Sequence, residues 1–143
     1  FNLVCILFFK KKMNSSVIVK SLILLISLVI FFHLAIVVQF IPYSITWGGR
    51  INSLQEMYVF EFLSIVINLF LIVVLLMRGD YIKSFFSQKI VTRILWIYFV
   101  IFSLNTLANL FAKTNLEKSF SLLTLLFAVH LFTILKNKKF NYN

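Results

Sequence analysis

Four long apolar runs constrain this chain more than any other feature, because each is close to the length a helix needs to cross a bilayer. A span takes about 20 apolar residues to traverse roughly 30 Å of hydrocarbon. The runs cover Ser21 to Ile41, Met57 to Met77, Ile94 to Ala112 and Phe120 to Leu135, and they use up most of a chain of 143 residues. A soluble domain is roughly 45–50% apolar and about 25% charged, whereas this chain is 62% hydrophobic and 13% charged. One water-soluble core cannot hide that much apolar surface. The expected fold is all-α: a polytopic membrane protein, a four-helix transmembrane up-down bundle with short connections.

The expected spans are at about 21–41, 57–77, 94–112 and 117–135. Pro42 suits the end of the first helix, and Arg78-Gly79-Asp80 reads as the turn after the second. The first run lacks a small-x-small cleavage site and exceeds the length of a secretory h-region, so it reads as an uncleaved anchor. The fourth run rises only ~24 Å from Phe120 to Leu135 at 1.5 Å per residue. It must therefore recruit Leu116 to Ser119 or thin the bilayer locally. Residues 13–143 form a single domain in this reading. Residues 1–12 are an untranslated leader or a disordered basic N-terminus, with translation beginning at Met13; the rival takes Phe1 to Phe9 as the end of a longer apolar segment flanked by Lys10 to Lys12.

A net charge of +10 in a soluble protein would point to nucleic acid, but here the basic residues cluster at the ends of the apolar runs. Lys20, Arg78, Lys83, Lys89, Arg93, Lys136, Lys138 and Lys139 fall on one side of the expected bundle, against Arg50, Lys113 and Lys118 on the other. The positive-inside rule then puts both termini and the middle loop in the cytoplasm. Tyr43, Trp47 and Tyr58 mark the outer boundary, and Tyr81, Trp96 and Tyr98 the inner one. The expected partners are the lipid bilayer, with anionic headgroups at the cytoplasmic face, and no nucleic acid. A homo-oligomer is left open.

The polar residues inside the spans carry the chemical information, because such groups usually face the bundle interior or a water-filled cavity. Glu61, His33, Asn105 and Asn109 all fall within ~12 Å of the outer ends of their helices. Glu61 and Asn68, seven residues apart, share a helix face, as do Asn105 and Asn109 at i,i+4. These five residues are the candidate polar pocket. Trp47-Gly48-Gly49-Arg50 is the candidate outer-loop lid, since adjacent glycines permit positive φ and let the loop aim Arg50 at Glu56 or Glu61. Each reading has a plainer rival. For Glu61 it is snorkelling to the interface or pairing with Arg50 as a packing and topology device, for Asn105 and Asn109 interhelical hydrogen-bond glue, and for His33 a neutral hydrogen-bonded packing residue.

No catalytic site is expected. The chain lacks a nucleotide-binding glycine pattern, a zinc-binding His-Glu-x-x-His and a nucleophile elbow. One cysteine, Cys5, and two histidines make neither a disulfide nor a typical metal site. No cofactor or metal is expected, and the chain is not read as an enzyme. The primary expectation is a binding or accessory protein with a small outward-facing polar pocket. The alternatives are a small oligomeric proton-coupled transporter using Glu61, and a lipid-modifying enzyme with Glu61 and His33 as acid and base.

The stretch from Trp47-Gly48-Gly49-Arg50 through Met57-Tyr58-Val59-Phe60-Glu61, with Asn105-Thr106-Leu107-Ala108-Asn109 and Ala112-Lys113-Thr114 later, resembles small four-helix membrane proteins of bacteria, particularly AT-rich Bacteroidetes. The resemblance covers most of the chain after Pro42. It implies a fold and a bacterial inner membrane, and no activity.

Overall fold

The structure is a computed structural model that describes residues 15–47, 51–112 and 115–137. Four helices carry the fold: α1 (Ser15–Val37), α2 (Leu54–Arg78), α3 (Gln88–Leu110) and α4 (Asn115–Lys136). A single 3₁₀ turn, Tyr43–Ile45, lies between the first two. All four helices are long and apolar enough to cross a membrane. α4, whose apolar run looked short, begins at Asn115 and reaches full spanning length. Consecutive helices pack on one another, most extensively α3 on α4 and α1 on α2, and α1 also meets α4. The ring closes as an up-down four-helix bundle.

Local chemistry sets helix limits that hydropathy alone does not show. α2 starts three residues before its apolar run because Ser53 caps it, its side chain accepting from the Glu56 backbone N–H, while Glu56 reaches back to the Asn52 N–H at 2.9 Å. α3 starts six residues before Ile94, where the Ser87 hydroxyl accepts from the Ile90 N–H. At the other limit, α1 stops at Val37, short of Pro42. Gln39 takes the left-handed conformation (φ 59°), and the Phe40 N–H returns to the Ala35 carbonyl at 2.9 Å. This is a Schellman ending with glutamine in the place usually taken by glycine. α2 ends the same way, with Asp80 at φ 58° and the Tyr81 N–H on the Leu76 carbonyl. Gly79 precedes the left-handed residue and serves a different need. A methyl group there would lie 2.5 Å from the Tyr81 ring, whose hydroxyl is held 2.7 Å from the Ser16 hydroxyl.

The buried apolar core fills one half of the bundle. It comprises Ile18, Val19, Leu22 and Ile26 of α1, Leu71, Val74, Leu75 and Met77 of α2, Val91, Leu95, Tyr98 and Phe102 of α3, and Phe127, Leu131 and Ile134 with their neighbours on α4. These segments meet at the end that carries Arg78. Tyr98 is no boundary marker. It is buried ten residues into α3, where its hydroxyl donates to the Ile67 carbonyl of α2 at 2.8 Å. Phe102 continues the seam by meeting Phe127 edge to face at 4.9 Å.

The opposite half, the Glu61 end, is held differently. Its apolar cluster is small, Ile36 and Met57 with Ile51 from the loop. Of the six buried polar or charged side chains described, five (Thr46, Glu61, Thr106, Glu117 and Ser121) belong to this half and only Arg78 to the other. α3 and α4 are joined there by the Thr106 hydroxyl donating to Thr124 at 3.0 Å. α1 meets α4 through Phe32 against Phe120, edge to face at 5.1 Å.

In lipid, helices associate through close packing and interhelical hydrogen bonds, because hydrocarbon is no less apolar than the core. Tyr98→Phe, which removes only the hydroxyl bridging α3 to α2, should lower stability by about 0.6 kcal/mol, the mean for such bonds. Denaturant titration in mixed micelles measures it. Gly79→Ala should cost more, about 1–3 kcal/mol as an overpacking change, and should break the Tyr81–Ser16 contact that ties the α2–α3 loop to α1.

Candidate functional site

The Glu61 carboxyl is the centre of the polar half. It lies two turns into α2, and burial there follows from helix phase, since Glu61 and Met57 project from one face at i,i+4 toward α1 and both are fully buried. His33 stands opposite on α1, four residues before that helix ends. Its Nδ1 is 2.5 Å from Glu61 Oε2, with 15% of the histidine side chain exposed and none of the glutamate. Two lone pairs cannot face each other at that distance, so one proton lies between these atoms, whichever of them carries it.

The second carboxyl oxygen has a partner from the loop. Trp47 Nε1–H donates to Glu61 Oε1 at 2.8 Å, and the indole packs on Phe60 with ring centroids 5.1 Å apart. Trp47 adopts φ 54°, which a bulky side chain seldom takes; such a conformation costs of order 1–3 kcal/mol and persists where surrounding contacts over-determine it. Here those contacts are the carboxyl oxygen and the Phe60 ring. The preceding Thr46 is buried and its hydroxyl closes the 3₁₀ turn onto the Tyr43 carbonyl at 2.9 Å. The indole N–H thus joins the packing of Tyr43 and Ile51 against Ile36 and Met57 in fastening the loop across the end of the bundle. Gln39 adds an outer contact, its amide donating to the Tyr58 hydroxyl at 3.3 Å.

The remaining residues expected at the site are distributed as follows. Asn68 is half-buried and donates to the Ser64 carbonyl of its own helix at 2.8 Å. Asn109 is half-buried and Asn105 exposed, both on α3, and neither reaches Glu61. Gly48, Gly49 and Arg50 lie outside the described residues. Glu56 belongs to the start of α2 rather than to the site. His130, the other histidine of the chain and not among the expected site residues, donates to the Leu126 carbonyl at 2.8 Å within α4. The structure therefore brings Glu61, His33 and Trp47 together out of the expected set. The indole is the partner that sequence reasoning did not assign. The only sequence signal for it was an amphipathic ring in a loop short enough to fold back.

This arrangement engages both oxygens of one buried carboxyl with side chains from two other segments. Among the described residues no three His, Cys, Asp or Glu side chains cluster as a metal site. No protein-family model, curated protein or solved structure matches the chain.

The clasp has a direct optical readout. The chain has two tryptophans, so a Trp96→Phe background leaves Trp47 as the sole indole. Glu61→Leu in that background should shift Trp47 emission to the red and raise its quenching by aqueous iodide, because the released loop turns toward water. Unchanged emission and quenching would show that the carboxyl does not hold the loop.

Proposed function

We propose that this chain is a multi-pass protein of a bacterial inner membrane, with both termini cytoplasmic, that acts as a binding or accessory protein through its Glu61 end. Charge placement supports the orientation. Lys20, Arg78, Lys83, Lys89, Arg93 and Lys136 gather where α1 and α3 begin and α2 and α4 end, whereas Lys118 is at the Glu61 end. By the positive-inside rule the Glu61 end faces outward. The resemblance of the Trp47-to-Glu61 stretch to four-helix bacterial membrane proteins fits the same location.

One observation carries the functional reading. A glutamate near a helix start could snorkel to the interface, yet Glu61 is fully buried and both its oxygens are engaged by side chains from two other segments. An ionisable residue held at membrane depth in that way is a functional-site hypothesis by default. The Trp47 loop covers it from outside, and Thr106, Glu117 and Ser121 supply further buried polar groups in the same half. In this reading a small polar ligand approaches from the outer face and takes the place of one of the two partners of the carboxyl. Proton-coupled transport is the second reading, supported by the proton between Glu61 and His33.

Glu61→Gln, which keeps shape and loses the acid, separates these readings. Purified wild type should carry a small molecule detectable by native mass spectrometry, reduced in Glu61→Gln at equal helicity. Proteoliposomes with an entrapped pH dye should show no proton flux above protein-free vesicles when a potential is imposed. Flux in the wild type that Glu61→Gln abolishes would establish transport instead. Equal ligand content and equal stability would reduce Glu61 to a packing residue.

A further inference from the structure

We infer that the exposed face of α3 around Asn105 is a dimer interface, covered by the same face of a second copy of this chain. Asn105 is exposed, and among the described residues its side chain makes no hydrogen bond. It is not at the rim of the apolar belt. Leu107, Leu110 and Phe111 lie beyond it toward the helix end and are 54%, 54% and 86% exposed, so lipid-facing side chains continue past the amide. Lys20 and Arg93 are exposed at similar distances from their helix ends, but their long stems carry the charge to the headgroups. The Asn105 carboxamide sits one methylene from its backbone and cannot snorkel. An amide in hydrocarbon without a partner is costly, and lipid tails offer none.

The chemistry of the amide selects the occupant. A carboxamide carries both an N–H₂ donor and a carbonyl acceptor, so it is complementary to itself. Two copies inserted the same way are related by a two-fold axis along the membrane normal. That axis sets their α3 helices side by side with Asn105 of each at one depth, where each amide can donate to the other. The neighbouring positions suit this contact. Ile101 and Ala108, at i−4 and i+3, are exposed on the same face, and alanine lets helix backbones approach closely. The face is distinct from the stripe of Val91, Leu95, Tyr98, Phe102 and Thr106 that α3 buries within its own bundle, so dimer formation needs no rearrangement of the fold. The inference is independent of Glu61 and of any ligand.

The test is oligomeric state in liposomes over a range of protein-to-lipid ratios. It is read by energy transfer between copies labelled at Lys83→Cys in a Cys5→Ser background. The wild-type sequence at Asn105 should dimerise, Asn105→Leu should weaken the dimer about tenfold, and Asn105→Gln should recover part of the loss. Ala108→Cys should cross-link between copies on oxidation, and Leu24→Cys on the exposed face of α1 should not. Asn105→Leu replaces an exposed side chain with an apolar one, and its circular dichroism should match the wild type. A protein monomeric at every ratio, with or without retained lipid, would overturn the inference. So would a dimer indifferent to Asn105→Leu, or one that cross-links through α1 and not α3.

Discussion

Everything distinctive at the Glu61 end depends on one constraint: a carboxyl group buried in a membrane helix must be satisfied by other protein groups. Water is absent from the hydrocarbon, and an unpartnered polar atom there costs several kcal/mol. Glu61 meets the constraint with His33 from α1 and Trp47 from the intervening loop. One of these bonds ties α1 to α2 and the other ties the loop to α2 through Trp47, whose backbone is in an unfavourable conformation, beside the packing of Ile36, Ile51 and Met57. The carboxyl is the group that both bonds share.

The two halves of the bundle divide the work between them. At the Arg78 end, four helices interlock through aliphatic and aromatic side chains. The α2–α3 loop is tied to α1 there by the Tyr81–Ser16 contact and by Lys20 lying 5.7 Å from the Tyr81 ring centroid. At the Glu61 end apolar burial is sparser, and the His33–Glu61 and Thr106–Thr124 contacts join helices beside the Phe32–Phe120 ring contact. Local stability follows packing density, so the densely packed half is the scaffold of the bundle.

Much of the fold was legible in the sequence because spanning a membrane imposes length and composition on each helix separately. The four runs were therefore readable one at a time. Their limits were not, since they rest on hydrogen bonds that hydropathy does not see: the Ser53 and Ser87 caps, and two Schellman endings built on Gln39 and Asp80 where no glycine marks the left-handed residue. Tyr98 illustrates the same limit. An amphipathic ring near a helix start reads as an interfacial anchor, and only the approach of the Ile67 carbonyl makes it a bridge between helices.

At the site, the sequence by itself determined that Glu61 was the residue to explain, because it was the one carboxylate inside the four apolar runs. It also supplied His33 as a polar neighbour at comparable depth, with no means of stating their separation. What the tertiary structure decided was the pairing: His33 at 2.5 Å, the Trp47 indole on the other oxygen, and Asn105 outside the pair on an exposed face of α3. The physical reason is that depth depends on counting residues along one helix. Contact depends on the rotation of helices about their axes and on how a loop folds back, and the packing of the whole chain sets both.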